Sequence, residues 1–179
     1  MIGRFQPFHK GHLLLAKQIF GDCEELIIAV GSAQFNYMFK EPFTAGERIV
    51  MIHESLMESS FDLGRCYIIP IENEENNATW YAHMRSMVPS FDVLYSGNEF
   101  VLNLIGKQIE IRSPVFIKRE KYNGSYIREL MTKNDDWKKL VPTSVSTLVQ
   151  QLRGVERVKM LQKMQTNGFY NVRRYPVTK

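Results

Sequence analysis

The sequence predicts an α/β protein, a doubly wound fold on a mainly parallel, five-stranded sheet. Short apolar runs bounded by glycine or proline read as strands covered on both faces; the clearest is Leu26-Ile27-Ile28-Ala29-Val30, which stops at Gly31. Between such runs lie segments whose apolar residues recur every three or four positions, as in helices that bury one face. The loops that follow the strands carry the chemistry-bearing residues, on the side where open α/β sheets bind ligands.

Taken in order, Met1 and Ile2 open the first strand, which is expected either to be short or to continue in residues upstream of Met1. Gly3-Arg4-Phe5-Gln6-Pro7-Phe8-His9-Lys10-Gly11-His12 is a turned loop, after which Leu13, Ala16, Ile19 and Phe20 repeat at helical spacing. The second strand ends at Gly31, and Gly31-Ser32-Ala33-Gln34 opens a loop at its carboxyl end. Thr44-Ala45-Gly46-Glu47 has the form of a capping box and predicts a helix through about Glu58, with Ile49, Ile52 and Leu56 facing inward. Cys66-Tyr67-Ile68-Ile69-Pro70 reads as a third strand closed by its proline, and the polar segment 72–77 as a loop. Asp92-Val93-Leu94-Tyr95-Ser96-Gly97-Asn98 reads as strand, glycine turn and a helix start at Asn98. Gln108-Ile109-Glu110-Ile111 is the fifth strand, and 112–122 is a loop interrupted by Pro114. A helix begins at Asn123-Gly124-Ser125, with Arg128 one turn in. Pro142 suits a first helical position, Val145, Leu148, Val149 and Leu152 form one face, Gly154 is expected to end that helix, and a shorter one is expected over 155–164. Residues 1–165 are read as the domain, with the helices from about 142 packing on the sheet, and the aperiodic stretch 166–179 as a loosely held tail.

Composition narrows the function. A chain of 179 residues, 44% of them hydrophobic, can bury one good core. Lys and Arg number 23 against 19 Asp and Glu, and the basic residues are spread among acids rather than gathered on a stripe. That balance fits a small anionic substrate and no nucleic acid. Two cysteines without a Cys-x-x-Cys pair fit a reduced, cytoplasmic setting, and no apolar run approaches the roughly twenty residues that span a bilayer. Neither Gly-x-x-x-x-Gly-Lys nor Gly-x-Gly-x-x-Gly occurs, so a nucleotide would have to be held in another way.

The first loop offers one. The initial turn of a helix presents unpaired N–H groups and a positive dipole end, which suits a phosphate, and Arg4, His9, Lys10 and His12 crowd that spot. Gly11 leaves the backbone open to such a group. The competing readings are a metal pair at His9 and His12, and histidines that merely begin a helix. Zinc would need further ligands, whereas Cys23, Cys66, His53 and His83 lie in unrelated stretches, so no metal site is assigned.

The stretch Gly3–His12 resembles the signature of the nucleotidyltransferases with a His-x-Gly-His motif, and is most similar to that of the archaeal-type nicotinamide mononucleotide (NMN) adenylyltransferases. Asn123-Gly124-Ser125-Tyr126-Ile127-Arg128 resembles the second signature of the family, with Ser125 where threonine is common and Asn123 where serine or threonine is. Pro42-Phe43-Thr44-Ala45-Gly46-Glu47-Arg48 and Asn77-Ala78-Thr79-Trp80 are also similar to segments of the archaeal group. The resemblance implies transfer of adenylate from ATP to NMN, giving NAD and diphosphate. It implies that Arg4, His9, His12 and Arg128 are catalytic and that Gly3, Phe5, Lys10, Gly11, Gly97, Asn98, Gly124 and Ser125 hold ATP. Ser32, Arg48, Asn77 and Trp80 are implied on the NMN side, where an indole face suits a pyridinium ring. Each has a plainer reading: Arg48 and Arg128 as surface residues, Trp80 as core, Asn77 as a cap, Gly97 as a simple turn. The resemblance further implies Mg²⁺ carried mainly on the ATP phosphates, nicotinic acid mononucleotide as a second possible substrate, and a homo-oligomer, hexameric in archaeal relatives. The alternatives are a sibling enzyme acting on phosphopantetheine, FMN or glycerol phosphate, and a non-catalytic nucleotide-binding regulator.

Overall fold

The structure, a computed structural model, describes residues 1–96, 101, 103, 105, 108–115 and 120–167. The elements run β1 (Ile2–Gly3), α1 (Lys10–Asp22), β2 (Leu26–Val30), α2 (Ala45–Glu58), β3 (Cys66–Pro70), α3 (Trp80–Met87), β4 (Val93–Tyr95), β5 (Glu110–Arg112), α4 (Gly124–Lys133), α5 (Thr143–Gln151) and α6 (Gly154–Thr166). Strands and helices alternate as the apolar pattern predicts. Every described strand pairing is parallel, β1 with β2, β2 with β3 and β4 with β5.

The five strands form a three-stranded sheet, β1-β2-β3, and a two-stranded one, β4-β5, where a single sheet was expected. β1 supplies only two paired residues, and among the described residues no ladder crosses from it to β4. Register places Gly3 opposite Val30, and Val30 opposite Pro70. Three strand ends are therefore level, and the loops that leave them open side by side.

β2 is central to its sheet, and Leu26, Ile28, Ala29 and Val30 are all buried. α1 covers it with Ala16 and Ile19, and α2 with Met51, Ile52 and Leu56. The capping box predicted at Thr44 is formed: Thr44 Oγ1 accepts from Glu47 N, and Glu47 Oε2 accepts from Thr44 N. The same core continues through Phe8, Phe43, Ile127, Met131, Val145, Val149 and Val158, so α4, α5 and α6 pack into it.

Two boundaries differ from expectation. Pro142 is the N-cap of α5 and Thr143 its first residue; the Glu58 carboxylate accepts from Thr143 N and Ser144 N, a distant group doing what a local cap would do. The break between α5 and α6 is made by Arg153, with φ 52°, and Gly154 starts α6. Gly154 is needed for space: a Cβ there would lie 2.9 Å from both the Phe43 ring and Val149.

α6 also braces the loop between β2 and α2. Arg157 makes two bonds to Glu47, Nη1–Oε2 2.7 Å and Nη2–Oε1 2.9 Å, and a third to the Pro42 carbonyl, with both side chains mostly buried. Loss of Arg157 would leave the Glu47 carboxylate under-paired in a poorly hydrated place. Arg157→Ala is expected to cost about 2 to 3 kcal/mol of stability; a denaturant midpoint within error of the parent protein would show the brace to be unimportant.

Candidate active site

The loop after β1 is wound tightly. A Cβ on Gly3 would come 2.9 Å from the Phe5 ring, and Phe5 itself sits at φ 51°, in the left-handed region. Phe5 and Phe8 are buried and form a floor for His12, with ring centroids 4.8 and 5.4 Å away. The Gln6 side chain bonds Phe43 twice, Nε2 donating to its carbonyl and Oε1 accepting from its N–H, both at 2.9 Å. The loop is thereby pinned to the one that leaves β2.

His9 is the N-cap of α1, and the two histidines cap each other. His12 N donates to His9 Nδ1 at 3.3 Å and His9 N donates to His12 Nδ1 at 3.2 Å, with the rings stacked 3.5 Å apart. Part of the positive helix end is thus satisfied internally. Since each Nδ1 accepts, each neutral ring carries its proton on Nε2. Burial holds His9 down to about pKa 4. His12, enclosed by Phe5, Phe8 and His9, is also held well below the usual value, by desolvation and then by its neighbour. At neutral pH the pair donates hydrogen bonds without carrying charge.

The second motif reaches the same place. Asn123, not Ser125, caps α4: its Oδ1 accepts from Ser125 N at 2.8 Å and Tyr126 N at 3.4 Å. Ser125 is exposed, and its Oγ accepts from Arg128 Nη2 at 3.1 Å, which leaves the hydroxyl proton to be donated elsewhere. Arg128 is 5% exposed and its Nη1 donates to the Gln6 carbonyl at 2.6 Å. Its buried Nε has no partner among the described residues. Desolvation, then the charge of Arg4, lowers its pKa to about 10, so it remains a cation at neutral pH. Gly124 allows this approach, since a Cβ there would lie 3.0 Å from the Gln6 carbonyl oxygen.

Arg4, Phe5, His9, Gly11, His12, Gly124, Ser125 and Arg128 line one cavity of about 380 Å³, together with Gln6 and Tyr122. Of the predicted ATP group, Gly3, at the end of β1, and Lys10, half-buried at the start of α1, lie outside that lining, while Gly97 and Asn98 lie outside the described residues. The glycine at position 11 is demanded by Tyr122, whose Cβ would be 2.6 Å from an added Cβ, as well as by any approaching phosphate.

The predicted NMN group lies apart from this cavity, on the neighbouring strand ends. Ser32 follows β2 at φ 55°, is buried, and donates to Asn73 Oδ1 at 3.1 Å. Arg48 is fully buried, and its described bonds go to the carbonyls of Thr44, Arg4, Gly31 and Ser32 at 2.8 to 3.2 Å. It joins the ends of β1 and β2. Trp80 is half-buried at the start of α3 against Ala29, Ile71 and Met84, and Asn77 is exposed, its carbonyl accepting from Trp80 N. A second cavity, about 340 Å³, lies at the strand beginnings around Met1, Leu26 and Val93, away from both motifs.

Sequence reasoning missed Gln6, Tyr122 and Glu41. Glu41 is 7% exposed and its Oε1 accepts from Arg4 Nη1 at 2.8 Å. Only its place beside Pro42 in the archaeal-like segment marked it out, and nothing local announces that a carboxylate there turns inward.

The chain matches the model of the cytidylyltransferase-like family over residues 1–130. It is 49% identical to a nicotinamide-nucleotide adenylyltransferase of Pyrobaculum arsenaticum over 88% of this chain and 89% of that one, and 47% identical to one of Caldivirga maquilingensis over 89% and 91%. The chain belongs to the nicotinamide-nucleotide adenylyltransferase family. The fold agrees: a bifunctional NMN adenylyltransferase/ADP ribose pyrophosphatase of Francisella tularensis, solved with AMP and a manganese ion, superposes with a TM-score of 0.80 at 20% identity, over 94% of this chain and 52% of that one.

In this adenylyltransferase the paired histidines, His9 buried and His12 half-buried, tie stability to pH. His9 takes up a proton near 6.5 when unfolded and only near 4 when folded, so stability is complete above pH 6.5 and falls as the pH drops toward 4. His9 alone accounts for about 3 kcal/mol of that loss. Unfolding midpoints followed from pH 8 to pH 4 are expected to fall below pH 6.5, and His9→Asn to flatten the curve; an equally steep curve in that variant would assign the effect to other groups.

Proposed function

We propose that the chain transfers the adenylyl group of ATP to NMN, forming NAD and diphosphate, with the triphosphate held in the cavity that both motifs line. The observation that carries this reading is the Arg128 Nη1 bond to the Gln6 carbonyl, which brings the second motif onto the first in a chain 49% identical to a named member of the family. The unpartnered, buried Nε of Arg128 fits an incoming phosphate oxygen.

An oxygen of the NMN phosphate attacks the α-phosphorus, a new P–O bond forms, and the bond to the β-phosphate oxygen breaks in line. The nucleophile is already an anion, so no base is needed. The work is placement and stabilisation of charge that grows on the α-phosphoryl oxygens and the departing diphosphate. His9 and His12 offer Nε2–H donors, Ser125 a hydroxyl, and Arg128 and Arg4 positive charge. Arg48 contributes by holding the Arg4 and Ser32 carbonyls, which sets the backbone between the two substrates. Mg²⁺ would arrive with the nucleotide and screen its phosphates. Among the described residues no group of three His, Cys, Asp or Glu is placed to hold an ion, and Mg²⁺ would be carried on phosphate oxygens and water. Asn77, on the loop after β3, and Trp80, at the start of α3, are assigned to the nicotinamide. No described helix is long and apolar enough to cross a membrane.

Diphosphate release from ATP is expected with NMN and not with phosphopantetheine, FMN or glycerol phosphate; release with one of those instead would move the chain to a sibling activity. His12→Ala should lower kcat by about 10²- to 10³-fold, roughly 3 kcal/mol of transition-state stabilisation. A folded variant with unchanged kcat would remove His12 from the mechanism. Trp80→Ala should raise KM for NMN far more than KM for ATP, and equal changes would leave Trp80 as a packing residue.

A further inference from the structure

Glu41 is the buried acid that the reaction as written leaves unused. It lies in a pocket of cations: Arg4 bonds it directly, and its charge acts on both Arg48 and Arg128, opposing their loss of protons. A carboxylate bonded to Arg4, a residue that lines the cavity, would repel an anionic substrate unless it served something there.

The geometry shows what that is. The Glu41 side chain is 10% exposed while that of Arg4 is 59% exposed, so the acid is the fixed partner and the arginine the mobile one. Glu41 is fixed from three directions. Its backbone closes a turn with Met38, N–H to carbonyl at 3.0 and 3.2 Å in the two directions. The carbonyl of the next residue, Pro42, accepts from Arg157, and the residue after that, Phe43, is held at both backbone groups by Gln6. Only Nη1 of Arg4 is engaged by Glu41, which leaves the rest of its guanidinium fork facing the cavity that His9, His12 and Arg128 line. A flexible, exposed arginine is thereby given one orientation before substrate arrives.

Resting on the adenylyl-transfer reading above, we propose that Glu41 is the positioning residue for Arg4, and that its fixed negative charge weakens the hold of the cavity on the diphosphate it must release. These two effects have separate chemical origins. Aiming needs an acceptor at Oε1, which glutamine also supplies, whereas release needs the charge, which glutamine lacks.

The test uses the full chain with Glu41→Ala, Glu41→Gln, Arg4→Ala and the double variant Arg4→Ala/Glu41→Ala. Glu41→Ala is expected to lower kcat about tenfold with KM for NMN changed less than about twofold. Glu41→Gln should recover most of that kcat while binding diphosphate, titrated alone by calorimetry, about three- to tenfold more tightly. In the Arg4→Ala background the further loss from Glu41→Ala should shrink to less than about twofold, because the acid acts through the arginine. A tenfold loss that persists without Arg4, or a kcat untouched in a folded Glu41→Ala protein, overturns the positioning role. Unchanged diphosphate affinity in Glu41→Gln overturns the release role. The calorimetric arm needs no turnover: a parent chain that forms no NAD, yet binds diphosphate more tightly as Glu41→Gln, would sink the adenylyl-transfer reading and keep the charge effect.

Discussion

The site depends on one bond, from Arg128 Nη1 to the Gln6 carbonyl, between residues 122 positions apart. A guanidinium taken out of water must find acceptors, and this one finds a backbone oxygen of the first loop and the hydroxyl of Ser125. Much around it follows from that need. Gly124 has no side chain because the Gln6 carbonyl would be 3.0 Å from it. The Gln6 carbonyl faces Arg128 because the Gln6 side chain is committed to Phe43, and the carbonyl two residues earlier, on Arg4, is taken by Arg48. The loop between them passes through a left-handed Phe5, a conformation that costs roughly 1 to 2 kcal/mol and persists only where tertiary contacts over-determine it. Two buried arginines and one buried glutamine supply those contacts, and the burial of the Phe5 and Phe8 rings offsets the strain.

Features legible in the sequence were those whose cause is local. The Thr44–Glu47 cap and the helix behind it were read with the right ends because donor and acceptor lie three residues apart. β2 was read because a run buried on both faces leaves no alternation. That the two signatures would meet was inferred from resemblance, and their shared cavity agrees with it. What could not be read was non-local. Arg157 and Glu47 are 110 residues apart, and each alone looks like an ordinary surface charge. Arg48 was expected to face solvent or a phosphate, as a lone arginine in a helix's first turns usually does; it is buried among three carbonyls at the ends of two strands and that of Thr44 at the start of its own helix. The apolar pattern shows where strands lie but not which edges pair, and among the described residues the pairing divides into two ladders. At α4 the helix start was read from the sequence, but the division of labour was not: Asn123 caps the helix while Ser125 accepts from Arg128.

Loop position also explains why acid and base were read unequally. Arg4, His9 and His12 stand in a motif dense enough to attract notice, whereas Glu41 stands among Phe39, Lys40 and Pro42, where an acid is expected to be solvated. Its backbone is held by the turn with Met38 on one side and the Gln6–Phe43 pair on the other, and its side chain meets Arg4 there.

The histidines and arginines differ in what they can add to phosphoryl chemistry. Cations bind a triphosphate, a transition state and a diphosphate product all strongly, so charge alone would slow release as it speeds attack. Neutral donors discriminate better, since a hydrogen bond strengthens with the charge that develops on one oxygen and falls away when that oxygen is gone. The surroundings of each side chain sort the two kinds. Arg4 is at the exposed mouth with its charge moderated by Glu41, whereas His12 is closed in by two phenylalanine rings that keep it uncharged. Arg128 is buried and desolvated enough to lower its pKa to about 10, yet still cationic at neutral pH. Replacing either phenylalanine with a polar residue would hydrate the histidine ring and raise its pKa toward the ordinary value of about 6.5, so that a selective donor becomes one more unselective cation as the pH falls below neutral. The apolar floor of the loop is therefore part of the chemistry, and the buried rings of Phe5 and Phe8 act on the reaction through the protonation state of the histidine above them.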